Sequence, residues 1–177
     1  MIDEIYVFRL SKNDFIRNLS TNEKIPDADK KGIKIEEWNP SLFMPYPLYV
    51  SSKYLLIWAW WVWHNKNIHY SSAILKCGDK KVSHLMITPY FPTWSFMERG
   101  DIQIKDVYTL KEYRGNRFAK YLLTAALKNK YNGAGSIWYL TRSSNFGSIA
   151  LCKSLGFHFA GRYKKKYGIF SKGIIEK

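Results

Sequence analysis

The sequence contains little cysteine, and the two positions favour neither metal binding nor disulfide stapling. Cys77 and Cys152 are the two cysteines in 177 residues, and they lie far apart in the chain. Neither occurs in a CxxC pair or at the cysteine and histidine spacing of a zinc site. We therefore expect no metal site and no disulfide framework, and a reducing cytoplasm is the simpler location for the chain.

Long apolar runs and secretion signals are also lacking. The most apolar stretch, Tyr54 to Trp63, is well short of the roughly 20 residues that a membrane-spanning helix needs. The N-terminal residues lack the basic flank and apolar run of a signal peptide. We expect no transmembrane segment and interpret Tyr54 to Trp63 as a buried strand. Because no repeat or low-complexity tract divides the chain, residues 1–177 are expected to form a single domain.

Acidic residues are scarce relative to basic ones. The chain has 28 Lys and Arg against 14 Asp and Glu, which gives a formal net charge of +14. Such a charge raises the local concentration of anionic ligands around the protein. It suits a nucleic acid, a membrane surface, an acidic acceptor or a phosphate-bearing ligand such as CoA, and it does not choose among them.

The sequence does contain a succession of strand-like runs. Residues 5–10 predict a first strand, and the polar segment 11–39 holds one weakly helical stretch near Asp14 to Leu19. Alternating apolar residues then predict an antiparallel meander, because the runs are separated by turn signals such as Gly78-Asp79. Its strands are expected at residues 54–63, 68–77, 82–88 and 101–110.

The pattern changes from strand-like to helical near residue 116. Apolar spacing predicts an amphipathic helix from about Asn116 to Lys130, followed by a strand over Ile137 to Thr141. Strand, helix and strand in this order form the crossover that joins parallel strands. A second helix is predicted to begin near Asn145 and to end at Gly156, and one or two final strands are expected after it.

The most informative segment is Tyr113-Arg114-Gly115-Asn116-Arg117-Phe118-Ala119. It lies between a predicted strand and the first turn of a predicted helix. A glycine-containing turn that opens a helix presents unpaired backbone N–H groups and the positive end of the helix dipole, which together bind phosphate. Arg114 and Arg117 add cationic side chains to this anion site. A solvated basic loop is the alternative interpretation.

A second motif follows at residues 145–157, which begin with Asn and end with Leu-Gly-Phe. Together with Arg114, Asn116 and Ala119, this motif resembles the GNAT superfamily of acyl-CoA-dependent N-acetyltransferases. The family's pyrophosphate loop is written Arg/Gln-x-x-Gly-x-Gly/Ala, and its second helix has the same Asn start and Leu-Gly-Phe ending. The resemblance covers about residues 80–165, which would form the acyl-CoA-binding core.

The resemblance implies a fold and a cosubstrate. The fold is expected to be α+β, with a mixed and mostly antiparallel central sheet, a splayed parallel strand pair and flanking helices. Acetyl-CoA, or another acyl-CoA, is expected as cosubstrate, with Thr109 and Leu110 against its pantetheine arm and Asn145 near its thioester end. The pyrophosphate is expected at a run of seven residues: Arg114, Gly115, Asn116, Arg117, Phe118, Ala119 and Lys120.

The chain departs from the family pattern at the central glycine of the pyrophosphate loop. Arg117 stands there, although glycine permits the closest approach of a backbone to a ligand. An arginine could reach the phosphates with its side chain instead, provided that its backbone keeps a right-handed helical conformation.

The implied activity is transfer of an acyl group to a primary amine of a small-molecule or sugar acceptor by direct attack. Where the family commonly carries a tyrosine as general acid, this chain has Cys152, and the position of the usual glutamate base falls at Gln103. Cys152 is therefore a candidate acid, and Asp101 and His84 are candidate bases. A packing role for the thiol, surface roles for the others, and a water relay or an already neutral amine are the alternatives.

Two other function classes fit parts of the sequence. A basic nucleic-acid-binding module would use the positive charge for phosphate contacts and the aromatic residues for stacking. A GNAT-like protein that binds acyl-CoA without catalysis would explain the missing tyrosine and glutamate. Aromatic residues crowd the stretch that holds Trp58, Trp60, Trp61 and Trp63, which suits either a packed core or an acceptor cleft.

Overall fold

The computed structural model of the chain describes residues 4–19, 32–38, 71–90, 94–130, 135–164 and 174–176. The described residues form eight strands and three α-helices. The strands are β1 Ile5–Ser11, β2 Ile33–Trp38, β3 Ser71–Cys77, β4 Lys80–Pro89, β5 Ile102–Thr109, β6 Ser136–Arg142, β7 His158–Lys164 and β8 Ile174–Glu176. The helices are α1 Lys12–Leu19, α2 Phe118–Lys130 and α3 Phe146–Ser154, and a 3₁₀ turn covers Lys111–Tyr113.

The eight strands form one mixed sheet in the order β2-β3-β4-β5-β6-β1-β7-β8. Within the described ranges, β5 and β6 are the parallel pair and the other neighbours are antiparallel. The α+β class, the mostly antiparallel sheet and the flanking helices predicted from the sequence are confirmed. None of the described helices is long and apolar enough to cross a membrane.

The parallel pair opens after a short stretch of contact. Its register begins at Ile102↔Ile137 and ends at Ile104↔Tyr139, although β5 continues to Thr109. The pairing of β5 with β4 shifts register just beyond this point, and Asp106 there has a φ of 50°. Because a bulge bends its strand and increases the local twist, β5 turns away from β6. The expected splay of this pair is therefore confirmed.

Helix α2 packs on one face of the sheet through a row of apolar side chains. Phe118, Leu122, Leu123, Ala126 and Leu127 are buried, and the helix contacts β3, β4 and β5. Their spacing forms one apolar stripe along the helix, which is what an amphipathic helix presents to a core. Each buried leucine contributes about 1.5–3 kcal/mol relative to exposure. This packing fixes where the helix N-terminus meets the end of β5.

Most elements lie where the sequence predicts them, with one strand missed. The first strand, the weakly helical stretch, the meander from residue 71 onward, and both later helices are confirmed. Strand β2 lies in the polar segment for which the sequence predicts no strand. Glu36 and Glu37 are both exposed on this edge strand, so they interrupt its alternation of apolar and polar residues. The strand predicted at residues 54–63 falls outside the described residues.

The closed end of the parallel pair is held by a buried carboxylate. Asp101 is 6% exposed and accepts hydrogen bonds from Ser136 N at 2.7 Å, Trp138 Nε1 at 2.7 Å and Glu98 N at 2.9 Å. A Cβ on Gly135 would lie 2.6 Å from Asp101 Oδ1, so the chain needs glycine there to approach this closely. Asp101 thus joins the start of β5 to the start of β6.

Replacement of Asp101 by alanine should destabilise the fold. Three N–H donors would lose their acceptor, and each buried unpaired donor costs about 1–3 kcal/mol, so we expect a loss of about 3 kcal/mol in the free energy of unfolding. Urea denaturation followed by tryptophan fluorescence measures it. Asp79→Ala, in the exposed β3–β4 turn, is the control and should change stability by about 0.5 kcal/mol or less. A loss below 1 kcal/mol for Asp101→Ala would contradict the structural role.

Candidate functional site

A cleft of about 400 Å³ lies where β5 and β6 separate. Residues 103–107 of β5 line one wall, and residues 139–142 of β6 line the other. The start of α3 contributes Asn145 and Ser148, and Ile5, Trp94 and Tyr163 complete the described lining. The cleft is therefore built by the divergence of two strands rather than by a surface loop.

One edge of β5 faces this cleft without β6 beside it. At about 3.3 Å per residue, the five residues beyond Ile104 extend for about 16 Å. Their other edge is held by β4: Ser83 Oγ donates to Tyr108 O at 2.8 Å and lies 2.9 Å from Thr109 Oγ1. Because backbone N–H and C=O groups seek partners, this edge suits an extended ligand that carries amides.

The segment from Leu110 to Arg117 forms a compact turn that leads into α2. Leu110 N donates to Val82 O at 2.9 Å, and Asn116 Nδ2 donates to Tyr113 O at 3.2 Å and to Arg114 O at 3.3 Å. The first amides of a helix have no intrahelical acceptor, and the helix dipole is positive there. The turn therefore directs an anion-binding helix end toward the open end of β5.

Arg114 is attached to the end of β5 rather than projecting away from it. Its Nε donates to Thr109 O at 3.0 Å, and its Cζ lies 5.8 Å from the centroid of the Tyr108 ring. The side chain remains exposed. A cation is thereby held where the strand edge meets the helix N-terminus.

Arg117 adopts the backbone conformation of a glycine. Its φ is 58°, and that of Gly115 is 82°. The backbone of Arg117 is therefore left-handed and not right-handed helical. An L residue in the left-handed region costs roughly 1–2 kcal/mol. The loop thus keeps the path that a glycine would give and adds an exposed guanidinium to it.

Asn145 forms the N-cap of α3. Its Oδ1 accepts a hydrogen bond from Ser148 N at 3.1 Å, and the residue also lines the cleft. The side chain thereby satisfies one of the amides that a helix start leaves unpaired. Its predicted position near a thioester stays a prediction.

The three predicted catalytic residues are not among the described residues that line the cleft. Cys152 is 0% exposed in the core, and burial raises the pKa of its thiol. His84 is half-buried on β4 with its ring 5.5 Å from that of Tyr108, and burial lowers its pKa. Asp101 accepts the three hydrogen bonds described above. Their catalytic roles stay predictions, and these surroundings favour structural roles for Cys152 and Asp101.

The cleft instead contains a tyrosine that the sequence did not single out. Tyr139 is 4% exposed, and its hydroxyl lies 3.3 Å from Ser148 Oγ. Burial raises the pKa of Tyr139 to about 12, so the phenol is protonated at neutral pH. The chain has 13 tyrosines, and no local pattern distinguishes this one, because its role depends on where β5 leaves β6.

Two polar residues of β5 also line the cleft. Gln103 is 3% exposed, and its Oε1 has no hydrogen-bond partner within the described part of the chain. Lys105 is partly buried, and burial lowers its pKa, opposed by the charge of Asp106. Residues two apart in a strand point to the same face, so alternation could have paired them in the sequence. Alternation alone does not identify that face as the wall of a cleft.

The Acetyltransferase (GNAT) family model matches residues 34–157 of the chain. The chain belongs to this family. The resemblance noted in the sequence at the pyrophosphate loop and second helix is therefore confirmed, and the GNAT match extends further toward the N-terminus than those motifs. No curated protein matches the sequence.

Several solved structures share the GNAT fold. The aminoglycoside N-acetyltransferase AAC(6')-Iy, in complex with the bisubstrate analogue CoA-S-monomethyl-acetylneamine, is 15% identical with a TM-score of 0.56, over 77% of this chain and 97% of that one. A GCN5-related N-acetyltransferase from Kribbella flavida is 10% identical with a TM-score of 0.54, over 91% and 56%. A tandem GNAT protein from the clavulanic acid biosynthesis pathway is 14% identical with a TM-score of 0.51, over 91% and 51%. The chain spans 48% to 61% of the longer structures that it matches.

Replacement of Arg117 by glycine should raise the stability of the protein. Glycine removes the cost of the left-handed backbone, although it also gains freedom in the unfolded chain, so the expected gain is about 0.5 kcal/mol. Thermal and urea unfolding measure it. Arg114→Gly is the matched comparison: its φ of −67° is ordinary for any residue, so this variant should lose about 0.5–1 kcal/mol. Equal losses in both variants would contradict the assigned conformation of Arg117.

Proposed function

We propose that this chain is an N-acyltransferase that uses acetyl-CoA, or another acyl-CoA, and acylates a primary amine of a small-molecule or sugar acceptor. The observation that carries the proposal is the cleft between β5 and β6, which opens at Ile104 and leads to the N-terminus of α2. Membership of an acetyltransferase family supports it. The likeness to an aminoglycoside N-acetyltransferase supports a sugar amine among the candidate acceptors.

The described residues fit a CoA ligand. An edge of about 16 Å on β5 offers peptide groups to the amides of a pantetheine arm, ending near Thr109 and Leu110. The turn at residues 114–120 offers helix amides, and the exposed side chains of Arg114 and Arg117 add positive charge. Acetyl-CoA supplies an activated acyl group as a thioester. Asn145 follows the end of β6 and lines the cleft, and we propose that it lies beside that group.

The acceptor amine would be positioned by β5. Gln103 Oε1 is buried in the cleft wall and has an unused acceptor position within the described part of the chain. It accepts a hydrogen bond from the amine N–H and thereby orients the nitrogen lone pair toward the acyl carbon. An amide cannot remove the proton, so we assign deprotonation to a water molecule or to binding of the neutral amine.

We assign the proton for the leaving sulfur to Tyr139. Tyr139 lines the cleft. Its phenol carries its proton at neutral pH, and its hydroxyl is 3.3 Å from Ser148 Oγ. Ser148 lies in the first turn of α3 and links the phenol to a cleft that water can enter. Cys152 occupies the family's usual tyrosine position, but its buried thiol lacks access to the cleft in the described structure. A tyrosine from the neighbouring strand would thus perform the role that Cys152 was predicted to have.

An acyl-CoA-binding protein without catalysis is the second candidate function. The cysteine at the family's usual tyrosine position and the glutamine at its usual glutamate position favour it. Incubation with acetyl-CoA and a panel of primary amines, followed by detection of free CoA thiol, separates the two. Thiol release above the no-amine rate supports transfer, and CoA binding without release supports the binder.

We also propose that residues 1–177 form a single domain and that the protein is located in the cytoplasm.

Arg114→Glu should abolish CoA binding while the fold persists. The substitution replaces attraction with repulsion beside the pyrophosphate, so we expect affinity to fall by at least about 100-fold, equivalent to about 2.7 kcal/mol. Isothermal titration calorimetry with CoA measures it. Lys128→Glu makes the same charge change at an exposed position near the other end of α2 and should leave affinity within about threefold. Unchanged affinity in Arg114→Glu would remove the pyrophosphate assignment.

Tyr139→Phe should slow the chemical step. The variant keeps the ring and removes the hydroxyl, so kcat should fall by about 10-fold to 100-fold, while the KM for acetyl-CoA stays nearly constant. Tyr121→Phe, on α2 away from the cleft lining, is the control. Cys152→Ala tests the competing assignment: equal turnover makes the thiol a packing residue. A drop in Cys152→Ala together with full activity in Tyr139→Phe would assign the acid to Cys152 instead.

A further inference from the structure

We propose that the acceptor amine carries an anionic group, a carboxylate or a phosphate, and that Lys105 binds this group in the cleft. The inference rests on the proposed function, because it names the chemical class of the acceptor for the same site. It distinguishes amino acids and phosphorylated amino sugars from neutral or polycationic amines. The inference rests on Lys105, on Gln103 and on the balance of charge in the cleft lining.

Within the described ranges, Lys105 is a cation without a close counter-charge. It follows Ile104, the last β5 residue paired with β6, and its side chain lines the cleft. No hydrogen bond or ion pair of the ammonium is found among the described residues, and the charge of Asp106 acts on it only at a distance. A partly desolvated ammonium without a hydrogen-bonded partner costs free energy. An anionic ligand group would offset that cost.

The described cleft lining carries a positive balance of charge. Lys105 on β5 and Arg142 on β6 are its cations, and Asp106 is its acid. Asp106 is exposed at the bulge, where water screens its charge. Arg142 is exposed as well, so the partly buried Lys105 is the cation of the lining that water screens least. A polycationic acceptor would meet a like charge there.

Gln103 supplies the second point of recognition. Its Oε1 is buried, lines the cleft and has no partner within the described ranges. A buried acceptor that stays unpaired costs about 1–3 kcal/mol, and an amine N–H would satisfy it. Gln103 and Lys105 lie two residues apart, about 7 Å along the strand, and on the same face. This spacing suits one small molecule that carries both an amine and an acid.

The purely structural interpretation assigns Lys105 a different role. Its methylene chain would cover the apolar wall, and its ammonium would reach solvent at the mouth of the cleft. In that case, the charge of Lys105 would not affect which acceptors bind. Substitution by methionine separates the two interpretations, because methionine keeps the length and apolar body of the side chain and removes its charge.

The test measures binding of matched product analogues by isothermal titration calorimetry, both with and without saturating CoA. One pair is N-acetylglycine and N-acetylglycinamide, and the other is N-acetylglucosamine 6-phosphate and N-acetylglucosamine. We expect the anionic member of at least one pair to bind at least 10-fold more tightly. Lys105→Met should reduce that preference to less than threefold, and Lys105→Arg should largely restore it. Lys128→Met, exposed on α2, should leave the preference unchanged.

Each outcome has a distinct meaning. A preference in the carboxylate pair alone identifies an amino acid as the acceptor, and one in the phosphate pair alone identifies a phosphorylated amine. Equal affinities within both pairs, no measurable binding by either pair, or a preference that persists in Lys105→Met would overturn the inference. Failure of CoA itself to bind in these titrations would count against the proposed function. An anion preference measured without CoA would stand independently of that failure.

Discussion

The divergence of β5 from β6 is the constraint on which the rest of the site depends. At one end, Asp101 accepts hydrogen bonds from the backbone and the indole of β6, so the strands cannot separate there. A few residues further on, the bulge at Asp106 turns β5 away. A regular sheet would have paired residues 105–109 with β6. The fold therefore leaves one edge of β5 unpaired, next to the position where Asp101 holds β5 and β6 together.

The two ends of this opening acquire positive charge in different ways. At the α2 end, backbone amides and the helix dipole supply part of the charge, and Arg114 and Arg117 supply the remainder. In the cleft, Lys105 supplies charge from a partly desolvated side chain. The positive charge at the α2 end would persist after loss of any single side chain, whereas the charge that Lys105 supplies depends on that one residue. On the proposed assignments, loss of a single side chain should thus weaken ligand selectivity in the cleft more than phosphate binding at the helix.

Most elements could be predicted from the sequence because they follow from the local spacing of apolar residues. The strand, helix and strand order near residues 101–141 required a parallel pair, and the turn before α2 carried its anion-binding chemistry in adjacent residues. Strand β2 could not be found this way, because Glu36 and Glu37 interrupt its alternation. The conformation of Arg117 was also not found, because an L residue other than glycine rarely adopts a positive φ.

The cleft residues illustrate a different limit. Alternation places Gln103 and Lys105 on one face of a strand, but only the divergence of β5 from β6 turns that face into a wall. The same event brings Tyr139 to the lining of the cleft, which includes neither Cys152 nor Asp101 among the described residues. Sequence similarity assigns a role to a position, whereas the path of the two strands decides which side chains line the cleft. Here the two criteria select different residues.

The position of β1 in the sheet has a consequence for the time course of folding. β1 pairs with both β6 and β7, and Arg9 Nε donates to Ser136 Oγ across 127 residues of sequence. During synthesis, the first strand of the chain emerges long before either neighbour exists. The contacts that complete this half of the sheet are therefore among the most non-local in the molecule, and chains dominated by such contacts fold slowly. Until β6 is made, β1 carries two unpaired edges, which leave it open to association with other chains.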